Sequence, residues 1–331
     1  MHQIVSAGTY YEIGRQIGKV LSKVKGYPPK FSKEVLEKSL PYEEIAKKHT
    51  PDLLEEFRGL SDELNIDYYI PITLELTPYR FEQTSCLVFA LSGEHTQNGL
   101  PLLGRSHEWK EEDNEHLAVC YTAPKGKIKS LGFTFLFPLV SRYGGINEAG
   151  VAISGASASF ENSGPGIMLN MATRWILDNC KTTEEAVDFF KKIPKVWGES
   201  YIIVDKNNTI AKVQSHATNT IVDYSKRGFD SATLKYDSPD LASFNNSWEG
   251  MEEVHSTRKT FLNKWFEENK GKIDVSSVTE TLRNHEHRMC CHDIEGLEIC
   301  WSYILQPTSK EAFLCAGRPC KHEYERIETS F

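Results

Sequence analysis

The apolar positions at the start of the chain fall near helical spacing. Tyr10, Ile13, Ile17, Val20 and Leu21 repeat with a period close to 3.6 within the segment Gly8 to Lys25, and Pro28 and Pro29 break the pattern. Glu43 to Leu64 predicts a second helical stretch, with Pro51 at a start or a kink. Tyr68 to Leu76 is apolar but fits neither period. At Cys86 the texture changes to short apolar runs separated by turn residues: Leu87 to Leu91, Leu100 to Leu103, Leu117 to Tyr121 and Phe133 to Leu136, each predicting a strand. A turn over Gly144 to Gly150 leads into another apolar run at Val151. Met168 to Asn179 and Thr183 to Lys192 predict helices, the second capped by Thr183 with Glu185 in its first turn. Strands are predicted at Tyr201 to Val204, Thr209 to Val213 and Thr220 to Tyr224. Helices follow at His255 to Asn269 and Val275 to Arg283, and a hairpin joins Ile299 to Leu305 with Ala312 to Ala316. Strands, helices, strands, helices, strands is the order of a layered antiparallel α+β core rather than of alternating βαβ units.

Composition narrows the function classes. The 331 residues are 40% apolar and 25% charged, and the net charge is −8. That balance supports a real core and argues against a general binder of nucleic acid or of anionic membranes. No run approaches the ~20 apolar residues of a membrane span. The N-terminus lacks a basic region followed by an apolar one, so no signal peptide is read, and the cytoplasm is the expected compartment. The eight cysteines are then expected as free thiols rather than as a disulfide framework.

The candidate chemistry lies at the texture boundary. Cys86 opens one apolar run, and Arg105 and Glu108 follow the next one. A hairpin would carry all three to one end of a sheet. A cysteine opening an apolar run is most often a small buried hydrophobe. A thiol accompanied by a guanidinium and a carboxylate instead suits attack on a carbonyl.

Four motifs in order resemble one superfamily. They are Cys86-x-x-Phe89-Ala90-x-Ser92-Gly93 with Asn98-Gly99-x-Pro101-x-x-Gly104-Arg105-x-x-Glu108-Trp109; Gly8 to Gly14; Asn147-Glu148-Ala149-Gly150-Val151-Ala152; and Cys291-His292 with Gly317 to Tyr324. The chain resembles N-terminal-nucleophile amide hydrolases, most nearly the acyl-coenzyme A:6-aminopenicillanate acyltransferase-like peptidases, with bile-salt and penicillin V hydrolases as more distant cousins. The resemblance implies a four-layer αββα sandwich with two antiparallel sheets. It implies a helical pro-segment over residues 1–85 and a catalytic core over 86–331. The precursor would be cut before Cys86, and the two pieces would stay associated. Cys86 would then act as nucleophile, and its new α-amine, titrating near pH ~8, as base. Arg105 would favour the thiolate, and Glu108, standing where the family has aspartate, would hold the amine. The substrate would be a small acyl amide or acyl-coenzyme A, with no cofactor, no metal, no nucleic acid and no membrane partner. A homo-oligomer is compatible with the sequence.

Two departures stand out. Where the family places an oxyanion-hole asparagine this chain has Leu234, followed by Lys235, and Ser157 occupies the second such region. Lys235 and Ser157 are therefore the candidate substrate-binding donors. A rival reading is a binding protein that kept the fold without the chemistry. The segment His285 to His292 suggests a structural metal protein as a third reading. Its spacings match no standard pattern such as Cys-x-x-Cys, and the family resemblance accounts for Cys291-His292 without metal.

Overall fold

The computed structural model describes residues 1–331 apart from 81–84, 138, 160, 162–163, 247–249, 293–296 and 330–331. Strand β1 (His2–Gly8) is followed by five helices: α1 (Tyr10–Leu21), α2 (Lys33–Glu37), α3 (Leu40–His49), α4 (Pro51–Leu64) and α5 (Tyr69–Leu76). Strands β2 (Ser85–Leu91), β3 (Leu102–Trp109), β4 (Leu117–Pro124), β5 (Ser130–Phe135), β6 (Gly144–Asn147) and β7 (Val151–Ser159) come next, then α6 (Leu169–Asn179) and α7 (Thr183–Lys192). The chain continues through β8 (Gly198–Asp205), β9 (Ile210–His216), β10 (Asn219–Tyr224) and β11 (Phe229–Ala232), then α8 (Met251–Glu268) and α9 (Val275–Leu282). It ends with β12 (Glu298–Gln306), β13 (Glu311–Ala316) and β14 (Glu325–Ile327).

Eight strands form one sheet in the order β1-β4-β5-β6-β7-β8-β9-β10, and six form the other in the order β11-β2-β3-β12-β13-β14. Strand alternation sorts each sheet into two buried faces. Cys86, Val88 and Ala90 of β2 pack with Ala152, Ala156, Ile202 and Val204 of the larger sheet, while Leu87, Phe89 and Leu91 pack on α8 and α9 through Leu262, Phe266, Val278 and Leu282. On the far side of the larger sheet, Ile153, Tyr201 and Ile203 meet α1, α4, α6 and α7. The result is the expected αββα sandwich. From Cys86 to Leu91 β2 is apolar, because both its faces are covered.

The N-terminal region differs in detail from its predicted form. β1 pairs parallel with β4, from His2 opposite Ala118 to Gly8 opposite Pro124. Only Ile4 and Ser6 of this edge strand are buried, so the segment carries little apolar signal. The single helix predicted over Glu43 to Leu64 is two, with Pro51 opening α4, where its missing N–H costs nothing. The ambiguous run at Tyr69 is helical. α1 begins with a capping box between Thr9 and Glu12. Gly14 lies against α4 so closely that a Cβ there would come within 1.9 Å of the Glu56 carbonyl oxygen. α7 is capped by Thr182, one residue earlier than expected.

Buried charge ties this region to the rest of the molecule. Arg174 of α6 donates to Glu56 of α4 at 2.8 and 3.1 Å and to Asp178 at 2.9 Å, and all three side chains are fully buried. Tyr10 of α1 donates to Asp178 at 3.0 Å. Glu75 of α5 accepts from the backbone N–H groups of Leu139, Val140 and Ser141 at 2.8–3.0 Å. Among the described residues no helix is long and apolar enough to cross a membrane.

Removing Arg174 would leave two buried carboxylates without their salt-bridge partner, Asp178 keeping only the Tyr10 hydroxyl. Arg174→Met is expected to lower the unfolding free energy by about 3–5 kcal/mol. Lys264→Met, which loses only the exposed pair to Glu268, is expected to move the urea midpoint much less. Similar midpoint shifts for the two variants would refute this assignment.

Candidate active site

β2 and β3 form the expected hairpin, with Cys86 opposite His107 and Ser85 opposite Glu108. β3 does not stop at Leu103: it runs on to Trp109, and all eight of its residues are buried. Arg105, His107 and Trp109 share the parity of Leu103 and so face the space between the sheets, as Cys86 does. Glu108 has the other parity. It faces α8, on the side of the sheet away from the thiol.

Arg105 is the centre of the inter-sheet cluster. Its Nη2 donates to the Cys86 Sγ at 3.3 Å and to the His107 Nδ1 at 2.7 Å. Its Nη1 donates to the Tyr143 carbonyl oxygen at 2.5 Å and to the Ser154 Oγ. The Ser154 hydroxyl also meets the Tyr303 hydroxyl at 2.8 Å. Gly144 makes this possible, since a Cβ there would lie 1.9 Å from the Tyr303 oxygen.

His107 gave no signal of its own in the sequence, yet its Nδ1 is 3.4 Å from the Cys86 Sγ. The ring lies flat on Trp301, with centroids 4.4 Å apart and planes 6° apart. Burial, followed by the neighbouring Arg105 charge, holds its pKa well below the usual imidazole range. A guanidinium is always a donor, so Nδ1 accepts and the ring proton sits on Nε2. Burial also pushes the Cys86 thiol up to about 11, against the pull of Arg105. The residue is 2% exposed.

On the other face, Arg258 of α8 donates to the Glu108 Oε1 at 2.6 Å, and its Nη1 is 3.4 Å from the Ser85 hydroxyl. The second Glu108 oxygen is buried without a hydrogen-bond partner. Neither of the expected substrate-binding donors touches the thiol among the contacts described. Ser157 gives its hydroxyl to Glu199 at 3.0 Å, and Lys235 pairs with Glu252. Leu234 packs on Met251 and Val254. The β11–β2 register runs from Phe229 opposite Leu91 to Ala232 opposite Val88, so two further residues bring Leu234 level with Cys86. Leucine offers no side-chain donor at that position.

Glu199 is a further charged group the sequence did not flag. It accepts from Ser157 and from the Trp197 indole at 2.9 Å, and burial holds its carboxyl up at about 8. An unfolded glutamate titrates near ~4.3. The folded chain therefore keeps a proton that the unfolded chain releases. The stability this contributes is complete below about pH 4.3 and is lost as pH rises through about 8. The wild-type thermal midpoint is expected to fall between pH 5 and pH 8, and Glu199→Gln to flatten that fall. Parallel midpoint–pH curves for the two proteins would contradict a buried neutral Glu199.

Comparisons with known proteins agree with this architecture. An N-acylethanolamine-hydrolyzing acid amidase ortholog from Caenorhabditis elegans superposes with a TM-score of 0.51 at 16% identity, over 67% of this chain and 93% of that one. A variant of conjugated bile acid hydrolase from Clostridium perfringens gives 0.50 at 13% identity, over 73% and 92%. At these identities the likeness concerns the fold, which is that of the N-terminal-nucleophile hydrolases. No curated protein sequence matches significantly. The sequence model of one family matches residues 95–298, more than half of the chain, including Arg105 and Glu108 and beginning just after Cys86. The chain belongs to the acyl-coenzyme A:6-aminopenicillanic acid acyl-transferase family.

Proposed function

We propose that this chain is the precursor of a cysteine amidohydrolase that cuts itself between Ser85 and Cys86 and then acts on linear amides. The observation that carries the reading is the Cys86 sulfur at 3.3 Å from a buried guanidinium, at the head of the first strand of the smaller sheet. In the first step the sulfur attacks the Ser85 carbonyl carbon. The Ser85–Cys86 C–N bond breaks, the thiol proton passes to the released nitrogen, and a thioester joins Ser85 to the sulfur. Water then hydrolyses the thioester, leaving a Ser85 carboxylate and a Cys86 with a free thiol and a free α-amine. Residues 1–85 become the light chain and 86–331 the heavy chain. The light chain stays docked through Arg174, Asp178, the β1–β4 pairing and the Glu75 anchor.

In turnover the α-amine takes the thiol proton and the thiolate attacks the substrate carbonyl. Arg105 favours the thiolate by charge and by hydrogen bond. The amine product leaves with the proton returned from the α-ammonium, and water resolves the acyl-thioester. The same intermediate passed to an amine gives acyl transfer. Glu108 stands opposite Ser85 with one unpartnered buried oxygen, which suits it to hold the new ammonium once Ser85 has withdrawn. Ser157, whose hydroxyl is engaged by Glu199, is the remaining substrate-binding candidate. Lys235, engaged by Glu252, takes no part in this scheme.

Leu234 favours a second reading, a binding protein that retains the fold. Loss of one oxyanion donor costs about 10²–10³-fold in rate. Intact mass separates the two readings. The purified wild type is expected as two co-eluting fragments, the heavier beginning at Cys86, and Cys86→Ala as one unbroken chain. A wild-type chain that stays whole, with Cys86 unmodified by acylating reagents, sinks the hydrolase and leaves the binding protein. A screen of N-acyl amino acids, acylated amines and β-lactams then finds the acyl group.

A further inference from the structure

His285, Cys290, His292 and Cys320 converge where two loops meet. The first three lie in the loop between α9 and β12, and Cys320 lies in the loop between β13 and β14. Their ligand atoms all lie within 4.8 Å of one another. The Cys320 Sγ is 3.8 Å from the His292 Nε2. The two imidazoles meet edge to face, with centroids 5.0 Å apart and planes at 85°.

We infer that these four residues form a structural Zn²⁺ site of His₂Cys₂ composition. Tetrahedral zinc, with Zn–S near ~2.3 Å and Zn–N near ~2.0–2.1 Å, sets its ligand atoms about 3.3–3.8 Å apart. The observed cluster is slightly wider than that, and small rotations of the side chains close it. Two thiolates balance the ion's charge, and the soft sulfur with imidazole donor set suits zinc rather than magnesium or calcium.

Both loops are held from outside the cluster. Arg283, just past α9, donates to the carbonyls of Pro319 at 2.9 Å and His322 at 3.3 Å, on either side of Cys320. The Cys290 N–H donates to the Asn284 carbonyl at 2.8 Å, and the His287 N–H to the Asn284 side chain at 2.7 Å. Sequence spacing hides the site because its fourth ligand comes from a different loop. The metal would pin two long loops across one end of the smaller sheet. One of them gives the Arg288 carbonyl to the Arg258 Nε at 2.7 Å, and Arg258 holds Glu108. The inference does not depend on the chemistry proposed for Cys86.

Elemental analysis of the full-length protein grown with added zinc is expected to find about one Zn²⁺ per chain. In protein stripped by a chelator, added Co²⁺ is expected to give a thiolate-to-cobalt charge-transfer band and the visible bands of tetrahedral cobalt. His292→Gln and Cys320→Ser are expected to abolish both signals. The cobalt spectrum of the wild type does not depend on either variant folding. Zinc-free protein that gives no cobalt–thiolate band overturns the inference. So does zinc retained in full by folded Cys320→Ser, or a Cys290–Cys320 disulfide in protein isolated without added oxidant.

Discussion

A guanidinium sealed between two sheets keeps its charge and must find a hydrogen-bond acceptor for each donor it can reach. Arg105 meets this demand at its two terminal nitrogens with a carbonyl, a hydroxyl, an imidazole nitrogen and a thiol, while its Nε stays buried without a partner, and no carboxylate is among the hydrogen-bond partners described. Its acceptors come from β2 and β3 of one sheet, from β7 of the other, and from the residue before β6. The arrangement therefore requires the two sheets to be in register with each other. A buried positive charge whose partners are all neutral is costly, and a thiolate at Cys86 would offset that cost. The larger sheet thus bears on the chemistry of a cysteine it does not contain.

Two other buried arginines, Arg174 and Arg258, solve the same problem differently. Arg174 sits between two carboxylates and acts as a clasp between the N-terminal helices and α6. Arg258 is paired with one oxygen of Glu108 and leaves the other unpartnered. In Arg174 the charge is spent on cohesion, whereas around Arg105 and Glu108 some pairing capacity is left unused. A buried group with unfilled capacity is where a new charged species is least costly to form, and both such groups flank the Ser85–Cys86 bond.

Most of the layer order was legible in the sequence, because helical and strand periods are local. The failures have physical causes. β1 is an edge strand whose parallel partner lies more than a hundred residues away, so nothing near it in sequence marks it. The apolar run that predicts β3 ends at Leu103, because Arg105 to Glu108 look polar. They are polar and buried, a combination that only the opposite sheet and α8 make tolerable. Had the strand been continued, the two-residue period would have put Arg105 and His107 beside Cys86 and turned Glu108 to the other face. His107 was therefore within reach of sequence reasoning. Glu199 was not, since its burial depends on how β7 and β8 pack, and Cys320 was not, since two loops have to meet before it has neighbours.

The state of the sulfur links folding to chemistry. In the proposed scheme the thiol before cleavage is governed by burial, which outweighs the pull of the guanidinium and holds its pKa up. In the proposed reaction the nucleophile's own peptide bond is the first carbonyl within reach, and breaking it produces the base that later turnovers need. Activation then requires no partner protein. It requires only that β2 and β3 pair in register and that the larger sheet close over Arg105. A misfolded chain lacks the guanidinium beside its sulfur and stays inert, so in this scheme correct packing between the sheets is the condition for the enzyme to switch on.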